Sequence, residues 1–276
     1  MGRRIGFIGI GEMGFPMACN LLQKGYTLTA YDAQKGPLLK MEKSGAKIAA
    51  SPNQVARASE MVICMVLTTE QVISVIRGEN GVLQGAHPDM IILIMSTIDP
   101  MVVKDLSKEA NAKGVRLLDA PVSGAKEGAE AASLTIMVGG PKTAFEECRP
   151  VLQVLGKNIF YLGEAGMGEV AKLINNHLLL INMLAVYEAL RLAQAAGAKI
   201  DVLLELIKTS TGNSWVAEHW DLVKSWKESS IPDGAIKNKF RDTKTLYKDI
   251  KMTLDLAKDL NVPLQLAGLS SQLGWD

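Results

Sequence analysis

The sequence predicts an α/β protein in which a parallel-sheet domain, residues 1–165, is followed by an all-α domain, residues 166–276, with a long helix joining them. Three observations carry this prediction. Short apolar runs alternate with helical periodicity over the first 120 residues, which is the mark of βαβ units. After Gly168 the strand-like runs stop and helical spacing takes over. A length of 276 residues leaves room for two domains.

The elements can be justified in order. Arg4–Ile8 reads as a strand, followed by a glycine-rich turn and a helix from about Met13 to Gln23 that Gly25 closes. Thr27–Tyr31 is a second strand and leads into Asp32. Met61–Val66 and Ile91–Met95 are continuous apolar runs, as expected for strands buried on both faces. Pro100 suits a first helical position, and Met101–Ala112 follows with helical spacing. Val115–Leu118 is the next strand. Leu134–Val138 and Asn158–Tyr161 are further strands, separated by a helix that follows Gly139-Gly140-Pro141 and runs to about Leu155. Glu169–Ala196 reads as one helix with no proline or glycine inside, and Asp201–Lys208, Ser214–Lys227 and Phe240–Leu260 continue the helical pattern.

Composition narrows the function. Lys plus Arg is 30 against 29 for Asp plus Glu, so bulk positive charge for a nucleic acid is missing and no nucleic-acid partner is expected. Cys19, Cys64 and Cys148 are odd in number and far apart, which suggests reduced thiols and a cytoplasmic location. His87, His177 and His219 form no ligand pattern, so no metal site is expected. Ile5–Ile10 is too short and glycine-rich for a signal peptide. Leu178–Ala198 carries Asn182, Glu188, Arg191 and Gln194, so it reads as a buried helix and no membrane span is expected. The long helix places Leu173, Leu178, Leu179, Leu180, Ile181, Leu184, Val186 and Leu190 around its whole circumference. Such a helix needs cover on every side, which predicts a homodimer or homotetramer.

The strongest motif is Gly9-Ile10-Gly11-Glu12-Met13-Gly14, a GxGxxG turn that follows a strand and opens a helix. In that context Gly9 permits the tight turn, Gly11 lets a pyrophosphate approach the backbone, and Gly14 lets helix and strand pack closely. The phosphates then meet the free N–H groups of a helix start. Asp32, at the end of the second strand, is placed to bind an adenosine ribose. Its charge repels a 2′-phosphate, so NAD is expected over NADP, although Lys35 nearby leaves NADP open. This makes the first domain a Rossmann-type one. Three further segments are candidates for the chemistry. Ser96-Thr97-Ile98-Asp99-Pro100 and Asp119-Ala120-Pro121-Val122-Ser123-Gly124-Ala125 each follow a strand, at the sheet edge where such folds bind ligands. In Gly166–Asn176, Lys172 and Asn176 are four apart and share a helix face near the domain boundary.

Together, the Gly9–Gly14 turn, Asp119–Gly124, Gly166–Asn176 and Lys248-Asp249 make the whole chain resemble the β-hydroxyacid dehydrogenases of the 3-hydroxyisobutyrate dehydrogenase family, relatives of 6-phosphogluconate dehydrogenase. The resemblance implies hydride transfer between NAD(H) and a small anionic 3-hydroxy acid or its semialdehyde. It implies Lys172 as general acid/base, Ser123 and Gly124 as the turn holding the substrate carboxylate, and Asn176 as an amide beside the lysine. It also implies Thr97 near the nicotinamide ribose, Val66 and Leu67 under the adenosine-side ribose and phosphates, Lys248 reaching the cofactor, and Asp249 orienting that region. Two residues depart from the family pattern: Ala125 stands where a second glycine is usual, and Leu67 where proline is common. Trp215, His219, Trp220 and Phe240 are candidates for the far side of the pocket, the core or a subunit contact. Relatives continue past the segment matching Leu264–Gly274, so the resemblance implies either a missing tail or closure by a neighbouring subunit. Two other readings stay open: an imine reductase on the same scaffold, and a non-catalytic dinucleotide-binding protein.

Overall fold

A computed structural model describes residues 3–228 and 244–272. Contacts divide the chain into two compact units, Met1–Lys172 and Leu173–Asp276. In chain order the first contains β1 (Arg4–Ile8), α1 (Gly14–Gln23), β2 (Thr27–Tyr31), α2 (Lys35–Lys43), β3 (Lys47–Ile48), α3 (Pro52–Arg57), β4 (Met61–Cys64), α4 (Thr69–Arg77), α5 (Val82–Gly85), β5 (Ile91–Ile94), α6 (Pro100–Ala112) and β6 (Arg116–Asp119). These strands form one sheet in the order β3-β2-β1-β4-β5-β6, and every pairing is parallel.

Period-two alternation explains why the sheet is covered on both faces. Ile5 and Phe7 of β1, Met61 and Ile63 of β4, and Ile91 and Leu93 of β5 enter one core with Met17 and Leu21 of α1. The alternate residues Ile8, Val62, Cys64, Ile92 and Ile94 enter the other core with Val72, Ile76 and Val103. Full burial of such a side chain contributes about 1.5–3 kcal/mol. The helices start on local signals. Ser51 accepts from the Gln54 N–H, Thr68 and Gln71 form a capping box, and Asp99 accepts from the Met101 N–H with Pro100 at the first position.

After β6 come β7 (Val122–Ser123), α7 (Ala125–Glu130), β8 (Leu134–Val138), α8 (Lys142–Leu155) and β9 (Gly156–Tyr161). The strands expected at Leu134–Val138 and Asn158–Tyr161 do form, but in a separate three-stranded sheet, β7-β8-β9. There β7 runs antiparallel to β8, and β8 runs parallel to β9. A bridge between Asp119 and Gly139 links the end of β6 to the residue after β8.

The long helix, α9 (Met167–Ala195), begins in the first unit and continues through the second. It is followed by α10 (Ile200–Lys208), α11 (Trp215–Glu218), α12 (Trp220–Glu228), α13 (Lys244–Asp259) and α14 (Gln265–Gln272). The single helix expected over Ser214–Lys227 is two, because the backbone leaves the helical region at His219 (φ −113°, ψ 33°). Phe240, and the chain end after Gln272, lie outside the described residues. One face of α9 is buried through Leu180, Met183, Val186 and Leu190, but Ile174, Leu178 and Leu192 stay 54–73% exposed. The expectation of a buried helix therefore holds for one face only, since the helices of a single chain cover one side. Among the described residues α9 is also the helix long and apolar enough, by length and composition, to cross a membrane.

Candidate functional site

Parallel pairing brings the C-terminal ends of β1, β2, β4, β5 and β6 to one edge, and the glycine turn, Asp32, Val66, Leu67 and Thr97 follow those ends. The glycine turn fills the gap from β1 to α1. Gly9 adopts φ +94°, and a Cβ on it would overlap the Met65 carbonyl oxygen, so glycine is required. A Cβ on Gly14 would overlap the Gly9 carbonyl, which is the close helix–strand approach the motif predicts. Gly11 differs: a Cβ there would meet nothing within 4 Å. The chain's own packing does not require glycine at position 11, and the space it leaves lies at the start of α1, which no side chain caps. Ile10, Gly11 and Glu12 line a groove of about 630 Å³ along α1.

Asp32 joins the ends of β1 and β2. Its Oδ2 accepts from the Ile10 N–H at 2.7 Å and its Oδ1 from the Gln34 N–H at 2.7 Å. This carboxylate is thus fixed beside the phosphate turn, with lone pairs left over for ribose hydroxyls. Together with the open face of Gly11, it makes the edge a good fit for a dinucleotide.

Val66 and Leu67 follow β4. Val66 donates its N–H to the buried Ser96 Oγ at 2.9 Å, and Leu67 donates to Gln71 Oε1 at 2.8 Å. Leu67 is exposed and Thr97, after β5, is half-buried. Ser123 lies in β7 opposite Thr135, and Gly124 adopts φ +132°. Ala125 adopts φ +53°, a conformation that costs a non-glycine residue about 1–2 kcal/mol, so the departure from glycine carries strain.

Lys172 is only 8% exposed. It is in the second turn of α9, whose start is tied to the sheet edge by two wholly buried carboxylates. Asp119 accepts from the Gly166 and Glu169 N–H groups, and Glu169 Oε2 accepts from the Ile98 N–H at 3.2 Å. Burial pushes the Asp119 carboxyl above the usual range, while these backbone donors pull it back.

Asn176 and Lys248 meet in a second cluster, inside the helical unit. Asn176 Nδ2 donates to Asp249 Oδ2 at 2.6 Å, Lys248 Nζ pairs with Asp249 Oδ1 at 2.9 Å, and Asn175 donates to Asn176 Oδ1 at 3.2 Å. Asp249 is 1% exposed. Trp215 is 47% exposed and stacks on His219, while Trp220 packs against the helical core. Sequence reasoning did not single out Asp119, Ser96 or Glu169 individually. Their partners are backbone N–H groups 30 to 71 residues away in the chain. The one local signal is an acidic residue closing an apolar strand.

Fold and edge define a dinucleotide-binding protein. The family model for the NAD-binding domain of 6-phosphogluconate dehydrogenase matches residues 4–163, and that for the NAD-binding domain of NADP-dependent 3-hydroxyisobutyrate dehydrogenase matches residues 166–274. The chain is 36% identical to a probable mitochondrial 3-hydroxyisobutyrate dehydrogenase of Dictyostelium discoideum, over 98% of this chain and 84% of that protein. It is also 36% identical to the 2-(hydroxymethyl)glutarate dehydrogenase of Eubacterium barkeri, over 98% and 87%. The 3-hydroxyisobutyrate dehydrogenase of Mycobacterium tuberculosis, solved with L-serine, superposes with a TM-score of 0.84 at 29% identity, covering 99% of this chain and 92% of that one. The chain belongs to the β-hydroxyacid dehydrogenase family, as an enzyme that oxidises or reduces small hydroxy acids with NAD or NADP.

Proposed function

We propose that the protein transfers a hydride between NAD(H) and a small 3-hydroxy acid or its semialdehyde, with Lys172 as the general acid/base. The observation that carries this is the burial of Lys172. Lysine is seldom buried, and this one is 8% exposed on a helix whose start is tied to Asp119 at the end of β6 and to Ile98 beyond β5. The molecules named for the three relatives, 3-hydroxyisobutyrate, 2-(hydroxymethyl)glutarate and L-serine, share one unit: a carboxylate whose α-carbon bears a CH2OH group. A substrate of that class presents an anion and a hydroxyl at a fixed separation.

Bound at the Gly9–Gly14 turn and Asp32, a nicotinamide dinucleotide supplies the hydride acceptor or donor. Ile10, Glu12 and Met13 complete that turn, with Val66, Leu67 and Thr97 along the neighbouring strand ends. Ser123 and Gly124 hold the substrate carboxylate. Lys172 Nζ takes the hydroxyl proton during oxidation and returns it to the forming alkoxide during reduction. Asn176, oriented by Asp249, holds the substrate beside the lysine, and Lys248 serves the cofactor. Asp32 favours NAD over NADP, residues 1–165 form the cofactor domain and 166–276 the substrate and oligomerisation domain. The exposed Ile174, Leu178 and Leu192 on α9 support a homodimer or larger homo-oligomer, and the three free cysteines fit a reducing, cytoplasmic setting.

The test is Lys172→Ala assayed at 340 nm against a panel of 3-hydroxy acids and semialdehydes. Turnover should fall by about two to four orders of magnitude, the usual contribution of a positioned acid or base, while NADH affinity stays within twofold. Near-normal turnover would exclude the lysine mechanism.

A further inference from the structure

Asp119 is a buried ionisable group to which the proton and hydride steps assign no role. It closes β6 and is 0% exposed. A buried carboxylate is costly without hydrogen bonds to its charged form, and Asp119 takes both from the start of α9. Oδ1 accepts from the Gly166 N–H at 2.8 Å, and Oδ2 accepts from the Glu169 N–H at 2.9 Å. N–H groups at a helix start have no partner within the helix, and the helix dipole there favours an anion.

The packing leaves this carboxylate little freedom. A Cβ on Gly139 would lie 2.7 Å from Oδ1, and one on Gly168 would lie 2.8 Å from Oδ2, so two glycines are pressed against it. The Asp119 backbone is held as well, donating to the Gly139 carbonyl at 3.1 Å and accepting from the Gly139 N–H at 2.8 Å. Glu169 adds a second tie through the Ile98 N–H, one residue beyond Thr97. Lys172 follows Glu169 by three residues, so the place of its Cα is set by a turn whose N–H groups Asp119 grips.

We propose that Asp119 is a positioning residue for Lys172: by holding the Gly166 and Glu169 N–H groups, it fixes the height and rotation of the first turn of α9, and with them the position from which the ammonium group meets the substrate hydroxyl. The proposal rests on the acid/base reading of Lys172. Proton transfer is sensitive to placement, and an error of about 1 Å can cost on the order of 100-fold. Asp119→Asn keeps the shape but turns an NH2 group toward one of the two backbone donors, which breaks one of the two bonds.

The expected result is a fall of about 10- to 100-fold in the single-turnover rate of NADH formation, with NADH affinity and substrate KM within twofold. Rates are normalised to active sites counted by NADH fluorescence. A purely structural role would lower Tm and the number of active sites but leave the rate per site unchanged, and that result would overturn the proposal. The decisive comparison is the Asp119→Asn, Lys172→Ala double variant. If Asp119 acts through the lysine, the double variant is no slower than Lys172→Ala alone; two losses that multiply would overturn the proposal. If Lys172→Ala retains turnover, the acid/base reading fails first and takes this proposal with it, an outcome distinct from multiplying losses. Should Asp119→Asn not fold, Asp119→Ser, which keeps one short acceptor, carries the same comparison.

Discussion

Replacing Gly11 with alanine should move stability and cofactor affinity in opposite directions. An added Cβ meets nothing within 4 Å, and Gly11 is not among the residues with positive φ. Alanine therefore introduces no strain in the free protein and restricts the unfolded chain, a gain of about 0.4–1 kcal/mol. For a chain of this size that raises Tm by about 1–4 °C. The methyl group, however, stands where a diphosphate must approach the backbone. Losing one charge-assisted hydrogen bond costs about 1.5–3 kcal/mol, which is about 10- to 150-fold in Kd. The assays are a thermal melt of the free protein and a fluorescence titration with NADH. Gly14→Ala is the control: its Cβ overlaps the Gly9 carbonyl, so it should lower Tm by disturbing the turn itself. A Gly11→Ala protein that binds NADH within twofold of wild type would show that the diphosphate does not use this space, and the reading of the turn would be wrong.

Other consequences can be measured as directly. Asp32→Ala removes the charge that opposes a 2′-phosphate, so the ratio of kcat/KM with NAD to that with NADP should fall by about tenfold or more; an unchanged ratio would place the selectivity elsewhere. A carboxyl whose pKa is raised on folding makes the folded state the stronger proton binder. The contribution of Asp119 to stability should thus be greatest in acid and decline as pH rises from the ordinary carboxylate range through its raised value. The difference in Tm between wild type and Asp119→Asn, followed from pH 4 upward, should show this slope, and a difference that grows in favour of wild type as pH rises would contradict it. Leu178→Glu with Leu192→Glu, on the exposed face of α9, should shift sedimentation toward the monomer, whereas a wild type already monomeric at micromolar concentration would refute assembly through this face.

How far the sequence could be read depended on whether the signal was local. β1, the glycine turn, α1 and Asp32 were legible because each glycine and the acidic residue has its meaning within one βαβ unit. β4 and β5 were legible because burial on both faces leaves an unbroken apolar run. β3, two residues long, and α5, four, are too short to show periodicity. Leu134–Val138 and Asn158–Tyr161 carry strand propensity but nothing that names their partners. The separate sheet arises where Val122 and Ser123 pair antiparallel with β8, a choice made by tertiary contacts. Lys172, Ser123 and Asn176 could be singled out as candidates because each is a residue type in a pattern. The carboxylates of Asp119 and Glu169 could not, since what they grip is backbone, and backbone donors leave no trace in residue identity.

The order of strands in the larger sheet bears on how the chain is made. β1 lies at the interior, between β2 and β4, yet of the six strands of this sheet it is the first to be synthesised. Its partner β2 follows after a single helix, whereas β4 arrives only after α2, β3 and α3. During that interval the edge of β1 that will pair with β4 is open, able to pair with another nascent chain. The phosphate turn therefore exists in outline before the sheet that stiffens it is complete. Synthesis through β4 is the step that closes this edge and commits the emerging chain to its own fold.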